Sequence, residues 1–448
     1  MKRLVSIILT ILVIIHAAPI VSFGTTEPPA ILAETAVVID AKTGQVLYDK
    51  NMNQQREPAS TTKTLTALLA LENLDLNKIV TIDAETPFTE GSRIYLLEGE
   101  NVTVEQLLYA LVTESANDAA VALAKEIAGS VPAFAEMMNK KAAELGAEST
   151  HFINPNGLHE EGHLSTAYDL AMIAKEAMKD ETFRELVMTY RYIMPATNMQ
   201  ETRYLYNTNR LIYDERTKIV VNGVQRTPKY EDVTGIKTGY TSHAGGCLIS
   251  GAKRGDTELI AVVMKSTDLG RFADSIALLD YAFANYKSVK AMDAGTILGE
   301  IPVKRGMERK VQVVALGDAY TTLPIEASDS VVDTKIILDN KVQAPIAKGQ
   351  KVGVVEIYEG DQLVGTVDAV TASDIPEGGI LSIIGLSNET AKVIETSFAG
   401  VLILIVLLFA AYVVLKRRQI RRRKLRRMER ANRYMSQGDL PRYGERWR

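Results

Sequence analysis

The stretch Pro58-Ala59-Ser60-Thr61-Thr62-Lys63, followed at once by the helix-favouring run 64–72, decides how this sequence is interpreted. Proline is favoured in the first turn of a helix, so a helix is predicted here with Ser60 and Lys63 three residues apart on one face. A serine hydroxyl is a weak nucleophile without an adjacent base, and a lysine amine becomes that base only when burial or a second cation lowers its pKa. Taken alone, Ser-x-x-Lys is common by chance and also fits two solvated residues on a helix surface.

Two further motifs follow in the chain and favour a catalytic interpretation. Ser115-Ala116-Asn117 lies between helices predicted over 104–115 and 119–128, where side chains can project into a cleft. Lys237-Thr238-Gly239 lies on a predicted strand, and its glycine lets the backbone of a ligand approach closely. Ser-x-x-Lys, Ser-Asp-Asn and Lys-Thr-Gly mark penicillin-binding proteins and class A β-lactamases, and here alanine replaces the central Asp of the second motif.

On these motifs the chain resembles the serine D-alanyl-D-alanine carboxypeptidases, the low-molecular-mass penicillin-binding proteins, across about residues 30–288. Further segments that look like the family are Asn154-Pro155-Asn156-Gly157-Leu158, Asn207-Thr208-Asn209-Arg210-Leu211 and 235–241. The resemblance implies an α+β fold: a β-lactamase/transpeptidase-like domain with an antiparallel sheet and a helical cluster, then a small all-β domain. Most relatives are anchored by an amphipathic C-terminal helix, whereas this sequence departs from them with a plain apolar run that predicts a C-terminal transmembrane helix. Strands at both ends of the first domain with helices between them favour the same sheet-on-helix arrangement.

The resemblance also implies an activity: removal of the terminal D-alanine from peptidoglycan stem peptides, with β-lactam antibiotics as inhibitors and no cofactor. Ser60 would attack the carbonyl, Lys63 would take its proton, and Ser115 would help pass that proton to the leaving amine. The implied substrate-binding residues are Asn117, Lys237, Thr238, Gly239, Tyr240 and Arg271. The backbone N–H groups of Ser60 and Tyr240 would form the oxyanion hole.

Some alternatives stay open on the sequence. Arg271 is chemically suited to a carboxylate, but a surface salt bridge explains it nearly as well. A serine β-lactamase shares the three motifs, although no residue can be placed that supplies its deacylating carboxylate. A non-catalytic wall-binding scaffold is the third hypothesis. The intact residues of the three motifs argue against it, because an inactive relative need keep none of them.

The chain is predicted to contain five consecutive parts. Residues 1–24, with two basic residues, an apolar run and a small-x-small end, are typical of a secretory signal peptide, with a retained anchor as the alternative. The serine peptidase domain spans 25–290, and short alternating strands predict an all-β domain over 291–392. A transmembrane helix is expected over 393–416, and a basic tail over 417–448. An interfacial helix is the alternative to a span, but the uncharged run 398–415 lacks a polar face.

Charge predicts how the chain lies across a membrane. Residues 416–448 carry 14 Lys or Arg against three Asp or Glu, whereas 25–415 carry a net charge of −17. The basic flank predicts a single span with the tail in the cytoplasm, the catalytic domain on the outer face, and contact between the tail and membrane lipid. Nucleic acid is not needed to explain the tail.

The lone Cys247 is most simply a buried hydrophobic residue. No metal site is predicted, because His159 and His163 lack a Glu-based zinc motif.

Overall fold

A computed structural model of the chain describes residues 27–378 and 388–436. The described chain forms two compact units. The first contains the chain up to Asp293 together with Asp318–Lys335 and Glu356–Thr366, and the second contains Ala294–Gly317, Ile336–Val355 and the chain from Val367. The domain bounds that the sequence suggests, 25–290 and 291–392, stay a prediction. The predicted signal peptide lies outside the described residues.

The first unit is built on a five-stranded antiparallel sheet with the strand order β2-β1-β11-β10-β9. Strand β1 is buried on both faces because its side chains alternate between two cores: Val37 and Ile39 face one, and Ala36 and Val38 face the other. The strands are β1 (Thr35–Asp40), β2 (Val46–Lys50), β9 (Val233–Thr241), β10 (Gly245–Arg254) and β11 (Thr257–Ser266). The predicted hairpin and the three later strands are confirmed.

Helices cover both faces of this sheet. A single long helix, α7 (Gly270–Asn285), packs through Phe272 and Ile276 on one face. The other face carries a helical cluster whose apolar side chains form the larger core. Its members are α1 (Lys63–Asn73), α2 (Val104–Thr113), α3 (Asn117–Ala128), α4 (Val131–Glu144), α5 (Ala167–Ala177) and α6 (Glu181–Met188). The α+β prediction is therefore confirmed.

Local structure departs from the sequence prediction at two places that matter for the site. The predicted helix from Pro58 starts as a 3₁₀ turn over Ala59–Thr62, with Ala59 at a φ of +48°, and becomes α-helical only at Lys63. The helix predicted to reach Ser115 ends at Thr113 because Ser115 adopts a φ of +56°, a left-handed conformation that cannot continue a helix. Both departures place a motif serine at an irregular backbone position.

Further antiparallel strand pairs complete the first unit and were largely missed from the sequence. β3 pairs with β4, β5 with β6 and β7 with β8, in strands of three or four residues that give little periodic signal. The longer strand β12 pairs with β15. Their bounds are β3 (Ile79–Thr81), β4 (Asn101–Thr103), β5 (Arg191–Met194), β6 (Arg203–Tyr206), β7 (Ile219–Val221), β8 (Val224–Arg226), β12 (Tyr286–Met292) and β15 (Ala319–Pro324).

The second unit is rich in strands, as predicted, and ends in one long helix. Strand β14 pairs antiparallel with both β13 and β19, and Ile301, Val311 and Val313 lie in its small core. Its strands are β13 (Ile297–Lys304), β14 (Lys310–Ala315) and β17 (Val342–Gln343), while β16 (Val332–Leu338), β18 (Lys351–Glu359) and β19 (Gln362–Thr371) run through both units.

Helix α8 (Asn388–Ser436) is 49 residues long. Among the described helices it alone is long and apolar enough to cross a membrane, and its apolar side chains are exposed. The structure extends the helix well into the basic segment, beyond the predicted end at residue 416. At about 1.5 Å per residue, the apolar run 398–415 matches the thickness of a hydrocarbon core at the short end of the usual range.

Candidate active site

Ser60 and Lys63 form a hydrogen-bonded pair at the start of α1. The Lys63 Nζ donates to Ser60 Oγ at 2.9 Å and to the backbone carbonyl of Asn156 at 2.7 Å. The Lys63 side chain is completely buried. The pair predicted from the Ser-x-x-Lys spacing therefore exists, and it is not the solvated helix surface that the spacing alone also allowed.

A loop at Asn154–Gly157 fixes this pair from the side. Thr66 Oγ1 donates to the carbonyl of Pro155 at 2.6 Å, and Asn154 Oδ1 accepts from the Gly157 N–H at 2.8 Å. Gly157 has a φ of +80°, and a Cβ there would lie 1.9 Å from the carbonyl oxygen of Ala59. Only glycine fits at this contact, and the close approach lets the loop bring the carbonyl oxygen of Asn156 to the amine of Lys63.

Burial and charge prepare Lys63 to act as a base. Desolvation, and then the nearby Lys237, hold the pKa of Lys63 well below its ordinary value, while the carboxylate of Asp118 opposes that shift. Desolvation, and then Arg271, lower the pKa of Lys237 to about 7. A buried amine beside a second cation favours its neutral form, which can accept a proton from a hydroxyl.

Ser115 and Asn117 lie at the junction between α2 and α3, and each has an unpaired polar side-chain atom. Within the described part of the chain, Ser115 Oγ and Asn117 Oδ1 are buried and have no hydrogen-bond partner. Asn117 Nδ2 donates to the carbonyl of Glu90 at 2.7 Å, which fixes the amide orientation. Unpartnered buried polar atoms are costly, so they need an explanation, and a bound ligand would supply the missing partners.

The Lys-Thr-Gly motif brings strand β9 against the Ser60 segment. Lys237 pairs in register with Ile249, and Gly239 pairs with Cys247. Both partners belong to the larger core, between the sheet and the helical cluster. A Cβ on Gly239 would lie 3.1 Å from the backbone nitrogen of Ser60. Glycine therefore leaves a gap of backbone width between the strand and the start of the helix.

The other residues of β9 have different surroundings. Thr238 Oγ1 forms a 2.6 Å hydrogen bond with Thr208 Oγ1, and Lys237 Nζ donates to the carbonyl of Thr238 at 3.1 Å. The Tyr240 side chain is exposed. Thr208 was seen in the sequence only as part of a family-like segment, and its contact with the motif required the tertiary fold.

Arg271 lies on the first turn of α7, largely buried behind the same strand. Its Nη1 donates to the carbonyl of Gly239 at 2.8 Å, and its Nη2 pairs with Asp268 at 2.8 Å. The salt bridge that the sequence left open is thus present, together with a backbone contact to the motif. Its predicted role toward a substrate carboxylate stays a prediction.

Asp118 is a site residue that the sequence analysis missed, although it directly follows Asn117. Its buried carboxylate accepts from the backbone N–H groups of Ile94 and Leu96 at 3.2 and 3.1 Å. It therefore ties the segment before α2 to the Ser115 junction, and its charge acts on Lys63. The signal in the sequence was an acidic residue at the start of the alanine-rich helix 117–128, but its burial was visible only in the structure.

Comparison with known proteins identifies the family. A family model described as D-alanyl-D-alanine carboxypeptidase matches residues 23–268, and one described as the C-terminal domain of penicillin-binding protein 5 matches residues 286–377. The chain belongs to the D-alanyl-D-alanine carboxypeptidase family. The members of this family are serine hydrolases, in agreement with the hydroxyl–amine pair described above.

Individual members cover most of the chain. It is 35% identical over 394 residues to the D-alanyl-D-alanine carboxypeptidase DacF of Bacillus subtilis, covering 85% of this chain and 97% of that protein. It is 34% identical over 379 residues to DacD of Salmonella typhimurium, covering 82% and 92%. The structure of penicillin binding protein 5 from Haemophilus influenzae superposes with a TM-score of 0.60 at 30% identity, covering 79% of this chain and all of that one. These relatives favour the carboxypeptidase prediction over the β-lactamase alternative.

Proposed function

We propose that this protein releases the terminal D-alanine of peptidoglycan stem peptides through an acyl-enzyme on Ser60. The observation that carries the proposal is the 2.9 Å contact between Ser60 Oγ and the buried Lys63 amine, whose pKa is lowered by desolvation and by Lys237. Family membership supports the substrate class, and the contact supports the choice of nucleophile and base.

Acylation begins with proton transfer. The neutral Lys63 Nζ takes the proton of Ser60 Oγ while Oγ forms a bond to the carbonyl carbon between the two D-alanines. The negative charge that develops on the carbonyl oxygen is stabilised by the backbone N–H groups of Ser60 and Tyr240. The close approach of Gly239 to the Ser60 nitrogen supports this arrangement, because no side chain stands between strand and helix.

Collapse of the tetrahedral intermediate breaks the C–N bond. The proton held by Lys63 passes through the hydroxyl of Ser115 to the departing amine of D-alanine, and the unpartnered Ser115 Oγ is suited to this relay. Water then attacks the acyl-enzyme, the acyl–oxygen bond breaks, and Ser60 regains its proton. Splitting one amide hydrolysis into two steps lowers the barrier of each.

The remaining site residues hold the substrate. Asn117 offers its free Oδ1 to an N–H of the peptide, Thr238 Oγ1 binds the terminal carboxylate, and the positive charge of Lys237 attracts that carboxylate. Arg271 supports this set from behind through the carbonyl of Gly239, and it adds positive charge near the same end of the cleft.

The test uses the full chain in detergent with a peptide ending in D-Ala-D-Ala, and it measures D-alanine release with and without prior penicillin treatment. We expect release that penicillin blocks, and loss of both release and covalent penicillin labelling in Ser60→Ala. Ser149→Ala, which changes an exposed serine, serves as the matched control. Turnover in Ser60→Ala would contradict the choice of nucleophile. Destruction of penicillin without peptide cleavage would indicate a β-lactamase, and inertness to both would indicate a scaffold.

The same proposal places the protein in the cell membrane, anchored by α8 with the peptidase unit on the outer face. The apolar run 398–415 and the 14 basic residues of 416–448 support this orientation, because basic flanks are retained in the cytoplasm and contact anionic lipid. Protease added to intact cells should degrade the peptidase unit and spare an epitope placed after residue 436. Loss of the epitope in intact cells would contradict the orientation.

A further inference from the structure

Three metal-ligating side chains meet at a place that the proposed mechanism does not use. Within the described residues, ligand atoms of Glu57, His159 and His243 all lie within 4.8 Å of one another. His159 Nδ1 is 3.0 Å from Glu57 Oε1, and the imidazole rings of His159 and His243 stack with centroids 4.0 Å apart at an angle of 13°. The two imidazoles and one carboxylate thus form a compact, solvent-accessible group.

The donor set selects a class of cation. Imidazole nitrogens suit zinc and the other late divalent transition metals, whereas magnesium and calcium prefer all-oxygen ligands. Two histidines and one glutamate are also a ligand set found in open zinc sites, in which the fourth position holds water. Tetrahedral binding would bring the donor atoms to about 3.4 Å from one another, as follows from metal–ligand bonds of about 2.1 Å. Both imidazoles are exposed, so side-chain rotation out of their stacked arrangement can make that adjustment.

A third histidine, His163, is not available as a ligand. His163 is buried, and its Nδ1 accepts from the Ile153 N–H at 3.1 Å while its Nε2 contacts Thr62 Oγ1 at 3.0 Å. Lys265 donates to the backbone carbonyl of His243, so that cation is directed at the backbone rather than at the imidazole. The cluster therefore has three candidate ligands and one anionic charge.

The location of the three ligands links three catalytic segments. Glu57 directly precedes the turn that carries Ser60, and His159 follows the loop whose Asn156 carbonyl accepts from Lys63. His243 lies in the turn between β9 and β10, just after the Lys-Thr-Gly motif. An ion bound to all three side chains would cross-link these segments beside the nucleophile.

We propose that Glu57, His159 and His243 form a binding site for one Zn²⁺ or a similar late divalent cation at the edge of the catalytic cleft, and that its binding fixes the three segments relative to one another. The site is separate from the acylation machinery, so acylation does not require the ion. Its ligands come from distant parts of the sequence, which is why the spacing of His159 and His163 gave no indication of it.

The test uses the full chain in detergent without a histidine tag, stripped with chelator and titrated with ZnCl₂ by calorimetry. We expect one Zn²⁺ per chain, at least a ten-fold weaker affinity in His243→Ala and in Glu57→Gln, and no binding of MgCl₂. His151→Ala is the matched control, because this exposed histidine lies outside the cluster and its Nδ1 contacts the carbonyl of Gly162. Its zinc affinity should equal that of the unmodified chain.

Two further measurements make the result decisive. Zinc should raise the thermal unfolding midpoint of the unmodified chain and of His151→Ala, and leave that of His243→Ala unchanged, because a ligand that binds only the folded state stabilises it. Unchanged penicillin labelling of His243→Ala would show that the variant is folded. Absence of zinc binding by the unmodified chain, or equal affinity in His243→Ala, would overturn the proposal and leave the carboxypeptidase proposal intact.

Discussion

Replacing Gly157 by alanine tests how the amine of Lys63, the proposed base, is held in position. Gly157 has a φ of +80°, and its added Cβ would lie 1.9 Å from the carbonyl oxygen and 2.4 Å from the carbonyl carbon of Ala59. The left-handed backbone costs an alanine about 1–2 kcal/mol. Relief of an overpacked contact typically costs about 1–3 kcal/mol more, and here both sides of the contact are backbone. We therefore expect Gly157→Ala to lower the free energy of unfolding by about 2–5 kcal/mol.

Gly146 supplies the matched control, because it has a φ of +78° and nothing within 4 Å of its added Cβ. Gly146→Ala should therefore lower the free energy of unfolding only through its left-handed backbone, by about 1–2 kcal/mol. Urea unfolding followed by circular dichroism measures both variants in the same detergent. The difference between them isolates the contact with Ala59.

The same substitution should also reduce catalysis. Moving the loop away from Ala59 withdraws the Asn156 carbonyl from the Lys63 amine, so the rate of penicillin acylation should fall about ten-fold or more in Gly157→Ala. Gly146→Ala should acylate at the unmodified rate. If the two variants lose equal stability and acylate equally fast, the close contact between this loop and the Ser60 turn is wrong.

The remaining predictions concern charge in the cleft. Lys63 must be neutral to act as the proposed base, so the acylation rate should rise as the pH passes upward through its lowered pKa. Affinity for a substrate carboxylate should weaken above about pH 7, because Lys237 then loses its proton. The Asp118 carboxylate raises the pKa of Lys63, so Asp118→Asn should move the acid limb of the plot of acylation rate against pH to lower pH. If stopped-flow measurements show that this limb does not move, Asp118 and Lys63 are not coupled. Arg271→Gln removes a charged hydrogen bond to the Gly239 carbonyl, a loss of about 1.5–3 kcal/mol, and should lower kcat/KM for the peptide at least ten-fold. Unchanged steady-state kinetics would show that Arg271 acts only through its ion pair with Asp268.

Much of the fold could be predicted because its signals are local. The β-branched run Val37-Val38-Ile39, the apolar helices of the first unit and the uncharged run of α8 each follow from residue type, periodicity or length. Helix ends were less predictable. The left-handed backbone at Ala59 and Ser115 is imposed by packing at the cleft, and neither residue type indicates it in the sequence.

By itself, the sequence determined the identity and order of the three motifs, the placement of strands at both ends of the first domain with helices between them, and the apolar and basic segments of the C-terminal helix. Only the tertiary structure decided that Lys63 is buried beside Lys237, that Asp118 opposes the resulting pKa shift, and that Glu57, His159 and His243 meet. The physical reason is that residue type and periodicity act over a few neighbouring residues. Desolvation, Coulomb interaction and metal ligation depend instead on distances in space between segments that are remote in the chain.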